Sequence, residues 1–372
     1  MSGCIAGTLV HVITGLDTGG AETMLCRLAP RSDFAMRQVV VSLRPGGTLR
    51  PALEEAGVPV FDLGLGRLPA PAALLRLRRI LAAERPAVVQ SWMYHADLAA
   101  ALAVHLLPSA RRPLLCWGIR CSDMDVSRYG RQLRMVIAAC ARLSRWPDAI
   151  IANSEAGRRV HGDLGYRPRR FEVVWNGLDL DRLAASPDMR AAVRAELGLT
   201  PQDRVVAAVA RVDAMKDHAT LLAALDRVPD LRLLLIGLGT EALPPHPRAL
   251  GLGRRTDVPR LLSAADGIVS SSAFGEGFSN ALAEGMAAGC VPVGTDVGDT
   301  RPLIGDTGWV VPPRDAAALA EALTALRDLA PDALQAAGAR AARRAHDHFS
   351  LDGAVRRFGA VYAGLGAPLA DA

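Results

Sequence analysis

The stretch RVVAAVARVDAMKDHATLLAALDRVPDLRLLLIG, residues 204–237, decides the fold of this sequence. Two runs rich in Val, Leu and Ile, residues 204–210 and 231–237, flank a segment with a helical pattern. Strands that are apolar at nearly every position are buried on both faces, and such strands form parallel sheets joined by helices. The stretch therefore predicts one strand–helix–strand unit of a doubly wound α/β domain.

The same alternation of short apolar runs and helical segments extends over most of the 372 residues. It predicts further strands at residues 8–14, 37–43, 87–92, 113–119, 148–153, 171–177, 267–272 and 290–295. A chain of this length exceeds one typical core, so we expect two domains with a boundary between residues 178 and 201. Parallel sheets bind ligands at the carboxyl ends of their strands, so we expect the site in a cleft between the domains.

Composition argues against several classes of protein. No apolar run approaches the ~18–20 residues that span a bilayer, and the N-terminus lacks the basic start of a signal peptide. The six cysteines have neither the spacing of a metal site nor the density of a disulfide framework. We therefore expect a reduced, cytoplasmic protein.

Charge is divided unevenly along the chain. Residues 1–185 contain 24 Arg and 16 acidic residues, a net charge of +8, whereas residues 186–372 contain 19 basic and 22 acidic residues, a net charge of −3. A basic first half predicts an anionic partner such as a phosphate compound or an acidic lipid. We expect no nucleic-acid partner, because aromatic residues make up only 4% of the chain and no nucleic-acid-binding motif is legible.

Lys216 is the only lysine among the 43 basic residues. It lies five residues after Arg211, in the loop between the strand at 204–210 and a helix that begins near Asp217. Two cations beside a helix N-terminus form an anion site, in which lysine supplies a compact point charge and arginine a flat fork. The pattern favours a diphosphate site. The alternative is a solvated loop with an incidental lysine.

A second polar group lies in FGEGFSNALAEGMAAGCVPVGTD, residues 274–296, directly after a predicted strand. Glu276 lies in a glycine-flanked loop, and Glu284 follows eight residues later inside a helix that Ser279 or Asn280 can cap. A helix N-terminus beside a carboxylate suits phosphate or sugar hydroxyls. The alternative is a helix with two ordinary surface acids.

These residues carry a family resemblance. RVDAMK resembles the R-x4-K donor-phosphate motif of family 4 glycosyltransferases, and EGFSNALAEGMAAGCVPVGTDVGD resembles their E-x7-E segment. Further similarity lies in GLDTGGAET (15–23), NSEAG (153–157), NGLD (176–179) and FSLDGAVRRFGAVYAGL (349–365). QSWMYHADL (90–98) and CWGIR (116–120) are closer to a subgroup that builds O-antigen and other surface polysaccharides.

The resemblance implies the GT-B fold, in which two doubly wound Rossmann-like domains face a central cleft. It assigns residues 1–185 to an acceptor-side domain, residues 186–348 to the donor-binding domain, and residues 349–372 to a helix that crosses back to the first domain. It also implies a retaining enzyme that moves a sugar from a UDP- or GDP-sugar to a glycan or to a lipid-diphosphate-linked acceptor.

The resemblance also assigns roles to residues. The predicted catalytic residues are Arg211, Lys216, Glu276 and His95. The predicted donor-binding residues are Gly19, Gly20, Arg120, Asn153, Gly277, Phe278, Ser279, Asn280 and Glu284. In these roles Lys216 and Arg211 hold the leaving diphosphate, because a cation placed there stabilises the charge that develops as the bond breaks. Glu284 holds the ribose, and Glu276 holds the donor sugar.

His95 and Arg120 each have two interpretations. His95 follows a predicted strand, but the family usually has its donor-side histidine after the next strand, where this chain has Arg120. Arg120 can supply a positive charge to the donor phosphates or to an acceptor diphosphate. A plain structural role is the alternative for both residues. His11, in the first strand, is interpreted as a core histidine.

No essential metal or other cofactor is expected. Residues 123–125 and 179–181 both spell D-x-D, the metal motif of the other glycosyltransferase fold, but neither lies in the context of that fold. One departure concerns the loop after VGD (297–299), where the family often has a glutamate and this chain has Pro302. The donor contacts that the family makes from that loop are therefore not assigned to this chain.

The stretch SRYGRQLRMVIAACARLSR, residues 127–145, has the pattern of a basic amphipathic helix. Its arginines, at positions 128, 131, 134, 142 and 145, fall largely on one helical face. Such a face can lie against an anionic membrane or near a lipid-diphosphate acceptor. The alternative is a solvated face in an arginine-rich protein.

Three rival functions were weighed. A glycoside hydrolase needs two carboxylates that flank the bond, and it leaves the R-x4-K motif unexplained. A sugar-nucleotide epimerase shares the architecture and would release a changed sugar with no acceptor present. A non-catalytic partner of another transferase would have no reason to keep all four of Arg211, Lys216, Glu276 and Glu284. A dinucleotide dehydrogenase is excluded because no G-x-G-x-x-G follows the first strand.

Overall fold

The computed structural model of the chain describes residues 5–17, 19–31, 34–66, 69–122, 130–183 and 186–368. The chain divides into two compact units. Unit 1 contains residues 1–177 and 351–372, and unit 2 contains residues 178–350. The chain thus passes from unit 1 to unit 2 eight residues before the predicted boundary at 185, and returns two residues after the one at 348.

Unit 1 is built on a parallel sheet of seven strands in its described residues. The strands are β1 Ile5–Ile13, β2 Ala35–Ser42, β3 Val60–Asp62, β4 Val88–Trp92, β5 Leu114–Ile119, β6 Ala149–Ala152 and β7 Phe171–Val173. The helices are α1 Gly20–Leu28, α2 Arg50–Glu55, α3 Ala70–Glu84, α4 Tyr94–His105, α5 Arg131–Leu143, α6 Glu155–Asp163 and α14 Leu351–Gly364. The strand order is β3-β2-β1-β4-β5-β6-β7.

Apolar cores cover both faces of this sheet. One core joins strand residues to α1 and α14, and the other joins the alternate strand residues to α3, α4 and α5. The C-terminal helix α14 belongs to the first of these cores, where Phe358 and Tyr362 pack against Phe34. Burial on both faces explains why the central strands are apolar at nearly every position.

Unit 2 is built on a second parallel sheet, with the order β10-β9-β8-β11-β12-β13. The strands are β8 Arg204–Val209, β9 Leu231–Ile236, β10 Ala249–Gly251, β11 Gly267–Ser270, β12 Val291–Thr295 and β13 Trp309–Val311. The helices are α7 Pro187–Glu196, α8 His218–Asp226, α9 Val258–Leu262, α10 Asn280–Ala287, α11 Thr300–Ile304, α12 Ala316–Arg327 and α13 Pro331–Phe349.

The predicted fold class is confirmed: two parallel sheets are wound with helices, and each predicted strand is present. The prediction missed β3, β10 and β13, each of which has three residues. His11 is a core histidine as expected, since its ring bonds to Gln38 and to the indole of Trp92. None of the described helices is both long and apolar enough to cross a membrane.

Candidate active site

Lys216 ends the loop between β8 and α8 of unit 2. The next residue, Asp217, is the N-cap of α8; it has φ 46°, and its carboxylate accepts a hydrogen bond from the Thr220 amide at 3.2 Å. The Lys216 backbone is held on both sides: its N–H donates to the Asp213 carbonyl at 3.0 Å, and its carbonyl accepts from the Ser271 hydroxyl at 2.8 Å. The lysine therefore has a fixed backbone position at the start of a helix.

The Lys216 ammonium forms an ion pair with the Glu276 carboxylate. The same oxygen of Glu276 accepts a hydrogen bond from the Ser272 hydroxyl at 2.8 Å. Only 20% of the lysine side chain and 9% of the glutamate side chain are exposed. The structure thus brings together the two predicted catalytic residues that stand sixty positions apart in the sequence, in a place where water screens their charges only partly.

The loop that carries Glu276 is held by the residues at 297–299. The Asp299 amide donates to the Gly277 carbonyl at 2.9 Å, and Gly298 has φ +63°. A Cβ at position 298 would collide with the Glu276 carbonyl, so glycine is needed both for the backbone conformation and for the close approach. Phe278 anchors the next part of the loop, because its ring packs edge-on against Phe349 at 5.2 Å between centroids.

Helix α10 begins directly after this loop. Of the two predicted caps, Ser279 is the N-cap and Asn280 is the first helical residue, but the Ser279 hydroxyl makes no capping hydrogen bond. Ser279 lines the same small cavity as Lys216 and Ser272. Glu284 lies half-buried inside the helix. The N-terminus of α10 therefore faces the same cavity as the ion pair, where its amides add positive potential.

Arg211 lies apart from this ion pair. Its guanidinium is 62% exposed and pairs with the Asp213 carboxylate at 3.2 Å. The pKa of Asp213 is lowered, first by the hydrogen bond from the Met215 amide and then by Arg211. In this structure the two cations of the R-x4-K motif thus have separate carboxylate partners.

His218 was missed by the sequence analysis. It is the first residue of α8, is buried, and lines the cavity with Lys216. Its Nδ1 has no hydrogen-bond partner among the described residues, and burial together with Lys216 lowers the pKa of its imidazole. A neutral imidazole with an unused nitrogen can bind a ligand hydroxyl or a water. Its position just after a strand-end loop was the available signal.

The predicted glycine loop of unit 1 leads into α1. Gly19 is the N-cap in an extended conformation, and Gly20 is the first helical residue. A Cβ on Gly19 would collide with the Glu22 carboxylate, so the glycine leaves room for this acid. Burial raises the pKa of Glu22. Residue 18 of the loop lies outside the described residues.

Arg120 directly follows β5, and its guanidinium is enclosed within unit 1. The charge lies over the rings of Trp92 and Phe358, at 4.8 and 5.2 Å from their centroids. One nitrogen donates to the Val174 carbonyl and the Asn176 side chain, both at 3.3 Å. Its Nε and Nη2 have no partner among the described residues, and burial lowers its pKa to about 10.

Asn153 lies beside Arg120, at the end of the neighbouring strand β6. Its amide nitrogen donates to the Arg120 carbonyl at 3.5 Å, and its side-chain oxygen has no partner among the described residues. Because β5, β6 and β7 are adjacent, the residues after them (Arg120, Asn153 and Asn176) lie side by side. The structure therefore groups two predicted donor-binding residues of unit 1 and adds Asn176.

His95 is placed elsewhere in unit 1, on the first turn of α4. It is half-buried and lines an apolar cavity that no other predicted site residue lines. Burial lowers the pKa of its imidazole, and the charge of Arg44 lowers it further. The structure thus separates His95 from the group around Arg120.

Two remaining predictions meet the structure only in part. The first D-x-D, at 123–125, lies outside the described residues, as does Arg128 of the basic segment. The rest of that segment forms α5 as predicted, with Ile137 and Cys140 buried. The described arginines of its outer face are exposed, and so is Met135, at 72%.

Two wound parallel sheets with a charged site at the strand ends of the second have the architecture of the GT-B fold, and two family models of glycosyltransferases match the chain. Residues 18–182 match the model "Glycosyltransferase Family 4", and residues 203–328 match "Glycosyl transferases group 1". The chain belongs to this family of nucleotide-sugar-dependent glycosyltransferases.

Relatives and solved structures support this assignment. The chain is 28% identical over 363 residues to the phosphatidyl-myo-inositol mannosyltransferase of Mycobacterium leprae, covering 88% of this chain and 89% of the relative. It is 31% identical over 209 residues to a D-inositol 3-phosphate glycosyltransferase of Mycobacterium sp. (strain KMS), covering 51% of this chain and 47% of that one. Anabaena HepE in complex with UDP has the same fold, with a TM-score of 0.84, 20% identity, and coverage of 96% and 100%.

Proposed function

We propose that the chain transfers a sugar from a UDP- or GDP-sugar, with retention of anomeric configuration, to a lipid-linked acceptor. The observation that carries the proposal is the partly buried ion pair of Lys216 and Glu276 at the N-terminus of α10. An ammonium and a carboxylate at one strand-end cavity match the two halves of a sugar diphosphate. The ammonium suits the phosphates, and the carboxylate suits the sugar hydroxyls.

In the proposed reaction the bond between the sugar C1 and the diphosphate oxygen breaks, and a bond between C1 and the acceptor oxygen forms. The acceptor proton passes to the leaving diphosphate, which departs as UDP or GDP. Lys216 stabilises the negative charge that grows on the leaving oxygen. Glu276 changes partner, from the lysine to the sugar hydroxyls, as the donor enters.

The roles of the remaining residues follow from their positions. Glu284, one turn into α10, accepts from the ribose hydroxyls, and the backbone from Gly277 to Asn280 contacts the donor sugar. Arg211 is exposed and can leave Asp213 for a phosphate. Nε and Nη2 of Arg120 and the side-chain oxygen of Asn153 have no hydrogen-bond partner among the described residues. These atoms suit a polar ligand at the strand ends of unit 1.

A lipid-linked acceptor is favoured over a free glycan by one comparison and one surface. The relative that matches over 89% of its length is named for transfer to phosphatidyl-myo-inositol. The exposed arginines of α5, with Met135 between them, suit an anionic membrane surface. Assembly of O-antigen or another surface polysaccharide stays a prediction from the subgroup resemblance.

Metal independence is also part of the proposal, because the cationic side chains and helix amides of unit 2 can neutralise a diphosphate themselves. The test is calorimetric titration of UDP, GDP and their sugars into the wild type and Lys216→Ala, with EDTA present. We expect tight binding of one nucleotide, lost in the variant. Equal binding by both proteins would contradict the assignment of Lys216, and restoration only by Mg²⁺ would contradict metal independence.

Retention is tested on the product. With a labelled donor and a membrane lipid extract as acceptor source, proton NMR of the purified product gives the anomeric configuration. An anomer that matches the donor supports the proposal, and the opposite anomer contradicts it. A changed sugar nucleotide formed with no acceptor present would instead support the epimerase alternative.

A further inference from the structure

Unit 1 contains a cavity of about 340 Å³ between α3 and α4, at the carboxyl ends of β2 and β3. Its volume lies within the range of about 300–1,000 Å³ that is typical of small-molecule sites. Leu98, Ala99 and Leu102 of α4 line it and are only partly buried, so part of each side chain is left uncovered by the core beside it. The strand ends contribute Leu43 and Leu63.

The lining is chemically uniform. Eleven of the twelve lining residues are apolar, and the exception is His95. A wall of aliphatic side chains offers no hydrogen bonds, so it selects a ligand portion that has no need of them, which is a hydrocarbon. A polar ligand such as a nucleotide or a sugar would leave its own groups unpaired in this cavity.

Positive charge lies at one end of the cavity. Arg44 directly follows the lining residue Leu43, is exposed, and is close enough to His95 to lower the pKa of the imidazole. The Arg44 backbone is fixed, because its N–H donates to the Thr14 carbonyl at 3.0 Å and its carbonyl accepts from Ser42 at 2.6 Å. An apolar cavity with an exposed cation next to its lining residues Leu43 and His95 is complementary to an anionic amphiphile.

Further positive charge, from the exposed arginines of α5, lies on the same face of the sheet. Helices α3, α4 and α5 share one apolar core, so the cavity and the exposed arginines of α5 lie in the same layer of unit 1. Charge complementarity therefore selects a lipid with an anionic headgroup over a neutral hydrocarbon.

We propose that the cavity between α3 and α4 holds one hydrocarbon chain of a phosphate-bearing lipid, with the phosphate against Arg44. This inference rests on the proposed lipid-linked acceptor and specifies where its chain lies. Each methylene that leaves water for the cavity adds to the affinity, so a chain of even a few carbons there gives measurable binding.

The test uses dodecyl phosphate below its critical micelle concentration, titrated calorimetrically into the full chain. Dodecanol and inorganic phosphate serve as the two half-ligands. We expect dodecyl phosphate to bind with a negative heat-capacity change, dodecanol to bind more weakly, and phosphate alone not to bind. Binding of phosphate as tight as that of dodecyl phosphate would overturn the proposal in favour of a plain anion site.

Two variants fill the cavity from opposite walls, Ala99→Trp on α4 and Leu74→Phe on α3. We expect each to lower the affinity for dodecyl phosphate at least tenfold. Ala83→Trp, on the exposed side of α3, is the matched control and leaves affinity unchanged. Unchanged affinity in either filled variant that unfolds at the wild-type temperature overturns the proposal.

Arg44→Ala separates the headgroup from the chain. We expect it to weaken dodecyl phosphate several-fold and to leave dodecanol unchanged, and equal weakening of both overturns the role of Arg44. The proposed function is tested separately, by measuring nucleotide binding to the wild type and to Lys216→Ala in unit 2. A chain that binds dodecyl phosphate without binding a nucleotide contradicts the transferase proposal alone.

Discussion

The two units place charge at the carboxyl edges of their sheets in opposite ways. In unit 2, Lys216 and Glu276 contact each other in a partly exposed cavity. In unit 1, Arg120 is enclosed by two aromatic rings and bonds to neutral oxygens, while the buried Asp97 nearby bonds to Ser91 and has its pKa raised to about 7. One edge holds a neutralised ion pair, and the other holds a cation near a buried carboxyl whose raised pKa leaves it only partly ionised at neutral pH.

This difference determines which charge contacts a ligand can replace at each sheet edge. A ligand that enters unit 2 can take over both partners of an existing pair, so binding replaces one set of charge contacts with another. A ligand that reaches Arg120 meets Nε and Nη2, which have no hydrogen-bond partner among the described residues to give up. We therefore expect variants in unit 2 to alter rate most strongly, and variants in unit 1 to alter stability and its pH dependence.

The largest expected effect is on Lys216→Ala. Loss of one contact that stabilises a leaving group raises the barrier by about 3–4 kcal/mol, so kcat should fall about a hundredfold to a thousandfold. Initial rates with the identified nucleotide sugar measure it. Lys216→Arg keeps the charge but changes its shape and should recover only part of the rate. A kcat for Lys216→Ala within threefold of the wild-type value would contradict the expectation that variants in unit 2 alter the rate most strongly.

Glu276→Gln comes second. The amide keeps the shape and can still accept from Ser272, but it loses the charge-assisted hydrogen bonds, which are worth about 1.5–3 kcal/mol. We expect kcat/KM to fall about tenfold to a hundredfold. Thermal unfolding serves as the control. An unchanged kcat/KM would mean that the Lys216 pair is a structural contact only.

Asp97 provides the third test, through pH. Its folded pKa of about 7 lies above its ordinary value of 3.8, so the stability linked to its bound proton is present at low pH and is lost as pH rises towards 7. Between pH 7 and pH 5 the wild type should regain about 2 kcal/mol from this group. Asp97→Asn should lack that gain.

The same measurement contains an opposing contribution. Burial lowers the pKa of His11 and of His161 to about 4, so the stabilisation linked to each neutral imidazole is lost as pH falls from about 6.5 towards 4. We expect Asp97 to offset part of this loss in the wild type, and the full loss from the histidines to appear in Asp97→Asn. Urea unfolding followed by the fluorescence of the buried Trp92 and Trp117 reports on unit 1. Parallel pH profiles of the two proteins would contradict the prediction.

The smallest expected effect is on Arg120→Met. The substitution removes two hydrogen bonds and two ring contacts, but it also removes a desolvated charge, and such losses and gains are often nearly balanced. We expect the free energy of unfolding to change by less than about 1 kcal/mol. A loss above about 3 kcal/mol would identify the arginine as a structural element, whereas a loss of activity with unchanged stability would identify a ligand contact.

The sequence predicted the fold well wherever strands are central. Residues 205–209 and 233–236 are apolar because neighbouring strands and helices cover them, and that burial is what the pattern records. The missed strands β3, β10 and β13 lie at sheet edges and have three residues each. A strand with one neighbour and partial exposure leaves too short a pattern to recognise.

The site was predicted by residue type but not by pairing. Lys216 and Glu276 were identified from motif and chemistry, yet no spacing in the sequence indicates that their charges meet. Ser272 and His218 were not predicted, because a single hydroxyl or imidazole after a strand is too common to indicate a site without its neighbours in space. The grouping of Arg120 with Asn153 depends on strand order, which the sequence pattern does not contain.

The single lysine allows the proposed donor site to be tested with a lysine-specific reagent. A protease that cuts only after lysine has a single target in these 372 residues, and cleavage there would give fragments of 216 and 156 residues. The peptide on either side of that bond is held by Ser271, Asp213 and the start of α8, so cutting requires the loop to open. Occupancy of the site can therefore be read as protection of one band on a gel, without knowledge of the acceptor.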